Sequence, residues 1–140
     1  GEPGNAVLIK SAHPCLDAVS GPPALARMQA LNPDAAGRPR PLERLCAGQT
    51  LLCRALGLKV PDWDARRFDP RALYVEDVGE SPQVLISTTR LGIPAGRDEH
   101  LEYRYVDPAY AAWCTRNPLR RGQQAGRDYN WIDRDGVILI

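Results

Sequence analysis

Apolar side chains recur along this chain with two different periods, and the change from one to the other near residue 70 separates a helical N-terminal part from a β-rich C-terminal part. Leu25, Met28 and Leu31 lie three residues apart behind Ser20-Gly-Pro-Pro, a capping hydroxyl followed by prolines in the first turn. A helix is predicted there, stopped by Asn32-Pro33. Residues 33–40 hold no large apolar side chain and read as a loop. Over residues 41–56, Leu42, Leu45, Gln49, Leu52 and Leu56 alternate steps of three and four, which predicts a second helix closed by Gly57 and then Pro61. Ahead of both, the short apolar run at residues 6–10 reads as a strand. Residues 61–70 are irregular and aromatic.

Past residue 70 the residue types change to β-formers. Residues 73–78, 84–89 and 101–105 read as strands, the last alternating Leu101, Tyr103 and Tyr105 with Glu102 and Arg104. Asp107-Pro108 is a helix start, and Tyr110, Trp113 and Cys114 form its apolar stripe until Asn117-Pro118. Residues 129–140 predict a hairpin about Asp135-Gly136, whose last four residues carry no polar side chain and therefore read as a strand buried within the sheet. The predicted class is α+β: a mainly antiparallel sheet of about five strands packed against an N-terminal pair of helices, with one short helix inserted before the C-terminal hairpin. With 140 residues and no interior linker, residues 1–140 read as a single domain.

Four cysteines narrow the picture further. Cys46 and Cys53 are seven residues apart on the predicted second helix, a rise of about 10.5 Å, whereas a disulfide needs Cα atoms within about 7 Å. Two pairings then remain: Cys15–Cys46 with Cys53–Cys114, or Cys15–Cys53 with Cys46–Cys114. Either predicts an oxidising compartment; the alternative is four reduced thiols acting as small hydrophobes in a cytosolic protein. His13, Cys15, Cys46, Cys53, His100 and Cys114 offer zinc-ligand atoms, but none shows the close C-x2-C spacing of structural zinc sites, so no metal and no cofactor is predicted.

Charge argues against a large anionic partner. Eighteen Lys+Arg face 17 Asp+Glu for a net +1, spread evenly between the halves, so no global field favours nucleic acid or an anionic membrane. Sixteen of the eighteen bases are Arg, which together with 13 Pro reads as GC-rich bacterial bias. No apolar run approaches 18 residues, so no membrane span is predicted. The opening Gly1-Glu-Pro-Gly-Asn, without Met, reads as a mature or trimmed chain.

Candidate chemistry falls into four groups. Cys15 before a helical segment and His100 at the start of a strand resemble in layout a papain-like or NlpC-type thiol hydrolase, with Asp98 or Glu102 orienting the histidine. Ser87-Thr-Thr89 with Glu99 and Glu102 resembles the strand Ser-Thr and Glu-x-Glu pieces of ADP-ribosyltransferases, with the glutamates three apart rather than two. His13 or His100 with Glu99, Glu102 or an arginine could serve a metal-independent ribonuclease. Finally, residues 115–127 carry Arg116, Arg120, Arg121 and Arg127 and no acid, flanked by Trp113, Tyr129 and Trp131, a mixture typical of binding surfaces.

These observations together predict a secreted or periplasmic bacterial domain, stabilised by disulfides, that binds another protein as an immunity, inhibitor or exported surface component. Nucleic acid is an unlikely partner on this reading. The competing reading is a small hydrolase or nuclease toxin using His100 with Cys15, Glu102 or nearby carboxylates.

Overall fold

The computed structural model describes residue 4 and residues 6–139, and it has the α+β class that the two periods predict. Two units form: Gly1–Arg67 with Trp113–Thr115, and Phe68–Ala112 with Arg116–Ile140.

In the first unit, α1 (Gly21–Leu31) starts at its prolines and ends at Asn32, whose N–H donates to the Met28 carbonyl at 3.0 Å. The expected cap is not the one found. Ser20 makes no side-chain bond to the helix; instead Asp17 accepts the N–H groups of Val19 and Ser20, both at 2.7 Å, and the Ser20 hydroxyl donates to the same carboxylate. This holds the Asp17 carboxyl below its ordinary range, chiefly through the Ser20 hydroxyl.

The helix expected over residues 41–56 is broken in two, α2 (Leu42–Leu45) and α3 (Gln49–Ala55), with a single further turn, α4 (Val60–Trp63). Gly48 causes the break: its φ of 135° lies outside helical space and in a region that L side chains rarely adopt. A Cβ there would also stand 2.6 Å from Thr115 Oγ1, the hydroxyl that donates to the Ala47 carbonyl at 2.7 Å. The apolar period survives the break because both pieces face one core: Leu45, Cys46 and Ala55 are buried, with Leu25, Met28, Leu42 and Leu52 packed on them.

The cysteines do not crosslink this unit. No disulfide is present, so both predicted pairings are corrected: Cys15 is exposed, Cys46 buried, and Cys53 and Cys114 half-buried. Burial pushes the Cys46 thiol up, which keeps it neutral, and it acts as the small hydrophobe that core cysteines often are.

The second unit is built on an antiparallel sheet in the order β2-β1-β3-β4, from β1 (Val84–Thr88), β2 (Arg104–Val106), β3 (Asn130–Asp133) and β4 (Ile138–Leu139). The register aligns one row across all four strands: Val106, Ile86, Trp131 and Leu139. Pro108–Trp113 forms a 3₁₀ helix whose first turn Asp107 caps by accepting the Ala109 N–H at 2.9 Å.

Among the described residues the sheet has four strands rather than five. Residues 73–78 contribute only the bridge Asp69–Leu73, leaving Tyr74, Val75 and Val78 exposed. Residues 6–10 also form no strand: a lone extended segment has no ladder to join, and Val7 is 93 % exposed. The hairpin at Asp135-Gly136 forms as expected, with Asp133 Oδ1 accepting the N–H groups of Asp135 and Val137 and Gly136 at φ 80°. Its second strand lies at the edge, however, with Val137 and Ile138 exposed, so the expectation of a buried closing strand is corrected; Ile140 lies outside the described residues. The strand expected over residues 101–105 forms at Arg104–Val106 instead, with Tyr103 before it and Tyr105 within it exposed and Val106 buried.

Candidate functional site

The residues named for the thiol-hydrolase layout fall in different units of the structure. Cys15 sits in the first unit, exposed in irregular chain six residues before α1 begins, so it does not stand at the start of that helix. His100 and Glu102 belong to the second unit. His100 is exposed in a turn, while Glu102 is half-buried with its carboxylate accepting the Asn130 side-chain amide at 2.8 Å and its carbonyl accepting the Ser87 hydroxyl at 2.8 Å. Glu102 thus ties the entry to β2 onto β1 and β3. Ser87 and Thr88, the Ser-Thr pair of the ADP-ribosyltransferase likeness, are buried, and the Thr88 hydroxyl donates to the Asp128 carbonyl at 2.9 Å.

Glu99 is likewise occupied, its two oxygens accepting the N–H groups of Gly96 and Arg97 at 2.9 and 3.0 Å. Those amides, the Gly96 one foremost, hold its carboxyl below the ordinary range, with a smaller contribution from His100. Beside this turn lies an open depression of about 460 Å³ lined by Arg90, Ile93, Pro94, Gly96, Arg97 and Asp98. The Arg90 guanidinium stands 6.0 Å from the Tyr103 ring centre and donates to the Asp98 carbonyl. Among the described residues no group of three His, Cys, Asp or Glu side chains converges for a metal, and no helix is long and apolar enough to cross a membrane.

The residues proposed for binding divide by role. Trp113 stacks on His13 at 4.2 Å between ring centres within the first unit. Tyr129 and Trp131 meet edge to face at 5.7 Å and are half-buried. Arg127 is structural: its guanidinium donates to Asp128 Oδ2 at 2.7 Å and to the Gly122 carbonyl at 2.9 Å. Arg116, Arg120 and Arg121 are exposed, and none forms an ion pair among the described residues.

Asp128 organises this loop, a role the sequence reading missed. Its carboxylate receives Arg127 and also the Gln124 N–H at 2.9 Å, while its carbonyl receives Thr88. The adjacent Arg127-Asp128 pair, placed just after two glycines, was the available signal. The Arg127 guanidinium above all, then the Gln124 amide, holds the Asp128 carboxyl below its ordinary value of 3.8. A lowered folded-state value stabilises the loop above the ordinary value and is lost as pH falls through the lowered one. In an NMR acid titration the Gln124 amide should therefore keep its native shift down to about pH 4 and lose it below. In Asp128→Asn that transition should vanish; persistence would place its origin elsewhere.

Comparison with known proteins supplies what this geometry does not announce. A family model described as Methylpurine-DNA glycosylase (MPG) matches residues 1–110. Relatives described as putative 3-methyladenine DNA glycosylases include one from Pseudomonas aeruginosa, 71 % identical over 132 residues, covering 94 % of this chain and 55 % of that protein. Another from Pseudomonas fluorescens is 72 % identical over 127 residues, covering 91 % of this chain and 55 % of that protein. One from Pseudomonas syringae pv. tomato is 70 % identical over 132 residues, covering 94 % and 59 %. The chain thus spans little more than half the length of these curated relatives. No solved structure matches significantly.

These findings overturn the functional expectation. Membership of a DNA-repair family contradicts the secreted or periplasmic protein-binding domain, the competing toxin, and the expectation that nucleic acid is an unlikely partner. The same family membership contradicts the expected periplasmic or secreted location. The net charge of +1 was given more weight than the local arginine excess at residues 115–127, although a sum over 140 residues does not describe any one part of the surface. With the family model spanning more than three quarters of its residues, the chain belongs to the methylpurine-DNA glycosylase family.

Proposed function

We propose that this chain takes part in excising methylated purines, 3-methyladenine among them, from DNA. The observation that carries the reading is the 71 % identity over 132 residues to a putative 3-methyladenine DNA glycosylase. The family model over residues 1–110 supports it. Base excision hydrolyses the bond between the purine N9 and the deoxyribose C1′: water oxygen bonds to C1′, the bond electrons leave with the base, and one proton is released. Methylation at N3 places positive charge on the ring, so the departing base is neutral and leaves more readily than an ordinary purine. Enzymes of this chemistry must also take the base out of the stack, which requires a protein surface that holds the flanking backbone.

The test uses duplex DNA methylated with dimethyl sulfate and follows release of free methylated purine. It is run with this chain and with the Pseudomonas aeruginosa relative carrying this chain in place of its matching stretch. Base release from methylated but not unmodified DNA is expected in at least the second preparation. Absence from both, while the unaltered relative is active, would overturn the proposal.

A further inference from the structure

Residues 116–128 lie beyond the end of the family model and carry four arginines against one carboxylate, a formal charge of +3 in a chain whose total is +1. With Arg127 paired to Asp128, that excess of +3 is carried by Arg116, Arg120 and Arg121. Asp128 is held by Arg127 and the Gln124 N–H. Arg120 stands near enough to Asp128 to help depress its carboxyl, yet forms no ion pair with it. Arg116, Arg120 and Arg121 are exposed and form no ion pair among the described residues.

The backbone beneath these groups is tied down on several sides. Arg104 donates to the Arg116 carbonyl at 2.9 Å, Asn117 accepts the Leu119 N–H at 2.8 Å, and Gly126 donates to the Tyr129 carbonyl at 2.8 Å. Arg127 closes the loop onto Gly122, Thr88 anchors Asp128 to β1, and Pro118 is buried. A loop held this way loses less freedom on binding than a mobile one, so more of each contact appears as affinity. Tyr129 and Trp131, the nearby aromatics, are half-buried against each other and are not presented as free stacking faces for bases.

Guanidinium groups on a fixed loop without an exposed stacking platform suit phosphate oxygens rather than bases. We infer that the 116–127 loop is a phosphate-contact surface on which Arg116, Arg120 and Arg121 hold the sugar–phosphate backbone of duplex DNA without reading its sequence. The inference rests on the DNA glycosylase reading and assigns the backbone contact to a segment outside the family model.

The test is the salt dependence of binding. The full chain is titrated with a labelled duplex, unmodified and dimethyl sulfate-treated, across a salt series. Each lost phosphate contact lowers the slope of log K against log salt by about 0.9. The double variant R120A/R121A should thus lower it by about 2 and weaken binding at low salt roughly tenfold, equally for both duplexes. R120K/R121K keeps the charge and should restore most of the slope. Since both side chains are exposed, the thermal melt should be unchanged, which excludes misfolding as the cause. Unchanged slope and affinity in R120A/R121A, a loss confined to methylated DNA, or a wild-type chain that binds neither duplex would each overturn the inference. Base release by the wild type is scored separately: binding with the expected slope but no release from any preparation would defeat the glycosylase reading and leave the phosphate surface standing.

Discussion

Ile86→Ala is expected to destabilise the second unit by about 3 kcal/mol, a large share of the stability of an ordinary small protein. Ile86 is 0 % exposed on β1, the strand paired on both sides, and stands directly opposite Val106 on β2 and Trp131 on β3. Its side chain fills the middle of the cross-strand row that ends at Leu139, so truncation leaves a void that strands hydrogen-bonded on both flanks cannot close. Ile86→Val removes a single methylene and should cost only about 1 kcal/mol. Urea unfolding of the two variants, with hydrogen exchange of the β1 amides as the local readout, checks both the size and the order. Equal, small losses would mean that this row is not the unit's core.

The second large effect is expected at Asn32, the buried polar residue at the end of α1. It is 0 % exposed, and its side-chain nitrogen donates to the carbonyls of Leu45 at 2.9 Å and Leu51 at 3.1 Å, bridging the end of α2 to α3 across the break made by Gly48. Asn32→Ala leaves two carbonyls without this donor and should cost about 2–3 kcal/mol, since an unsatisfied buried polar group bears its desolvation penalty in full. Asn32→Asp keeps the shape but replaces the donor with a carboxyl that burial drives toward its neutral form. That variant's folded-state pKa would be raised, so its stability should be greatest at acid pH and fall as pH rises through the raised value. Thermal melts of wild type and both variants from pH 4 to 7 test this; a pH-independent Asn32→Asp deficit would contradict the assignment.

How much of this was legible beforehand depends on the range of the interactions involved. The start and stop of α1, the cap at Asp107 and the hairpin turn at Asp135-Gly136 are local events, governed by proline, by short polar side chains and by a glycine at positive φ. Residues 6–10 and 73–78 have strand-like composition, yet a strand exists only where another backbone takes its hydrogen bonds, and composition does not say whether one arrives. The helix over residues 41–56 failed for a related reason. The period of its leucines is real, but Gly48 turns the chain where Thr115, distant in sequence, binds the Ala47 carbonyl.

The candidate sites divide the same way. Arginine content around residues 116–127 was visible in the sequence, and that segment remains the strongest candidate surface. Which of its arginines point outward and which one builds the loop depended on Asp128 and on an anchor from β1, forty residues away. Cys15, His100 and Glu102 were grouped by residue type and by their order relative to expected elements, and neither encodes which atoms meet in space. Membership in a DNA-repair family became legible through similarity to a family model over residues 1–110.

By itself the sequence determined the α+β class, the ends of α1, the hairpin turn and the leucine face of the first unit, because each follows from propensities and periods acting within a few residues. Only the tertiary structure decided the sheet order, the edge position of β4, the break at Gly48, the reduced cysteines and the division of labour among the arginines. Each of those depends on partners remote in the chain, whose arrival no local pattern encodes.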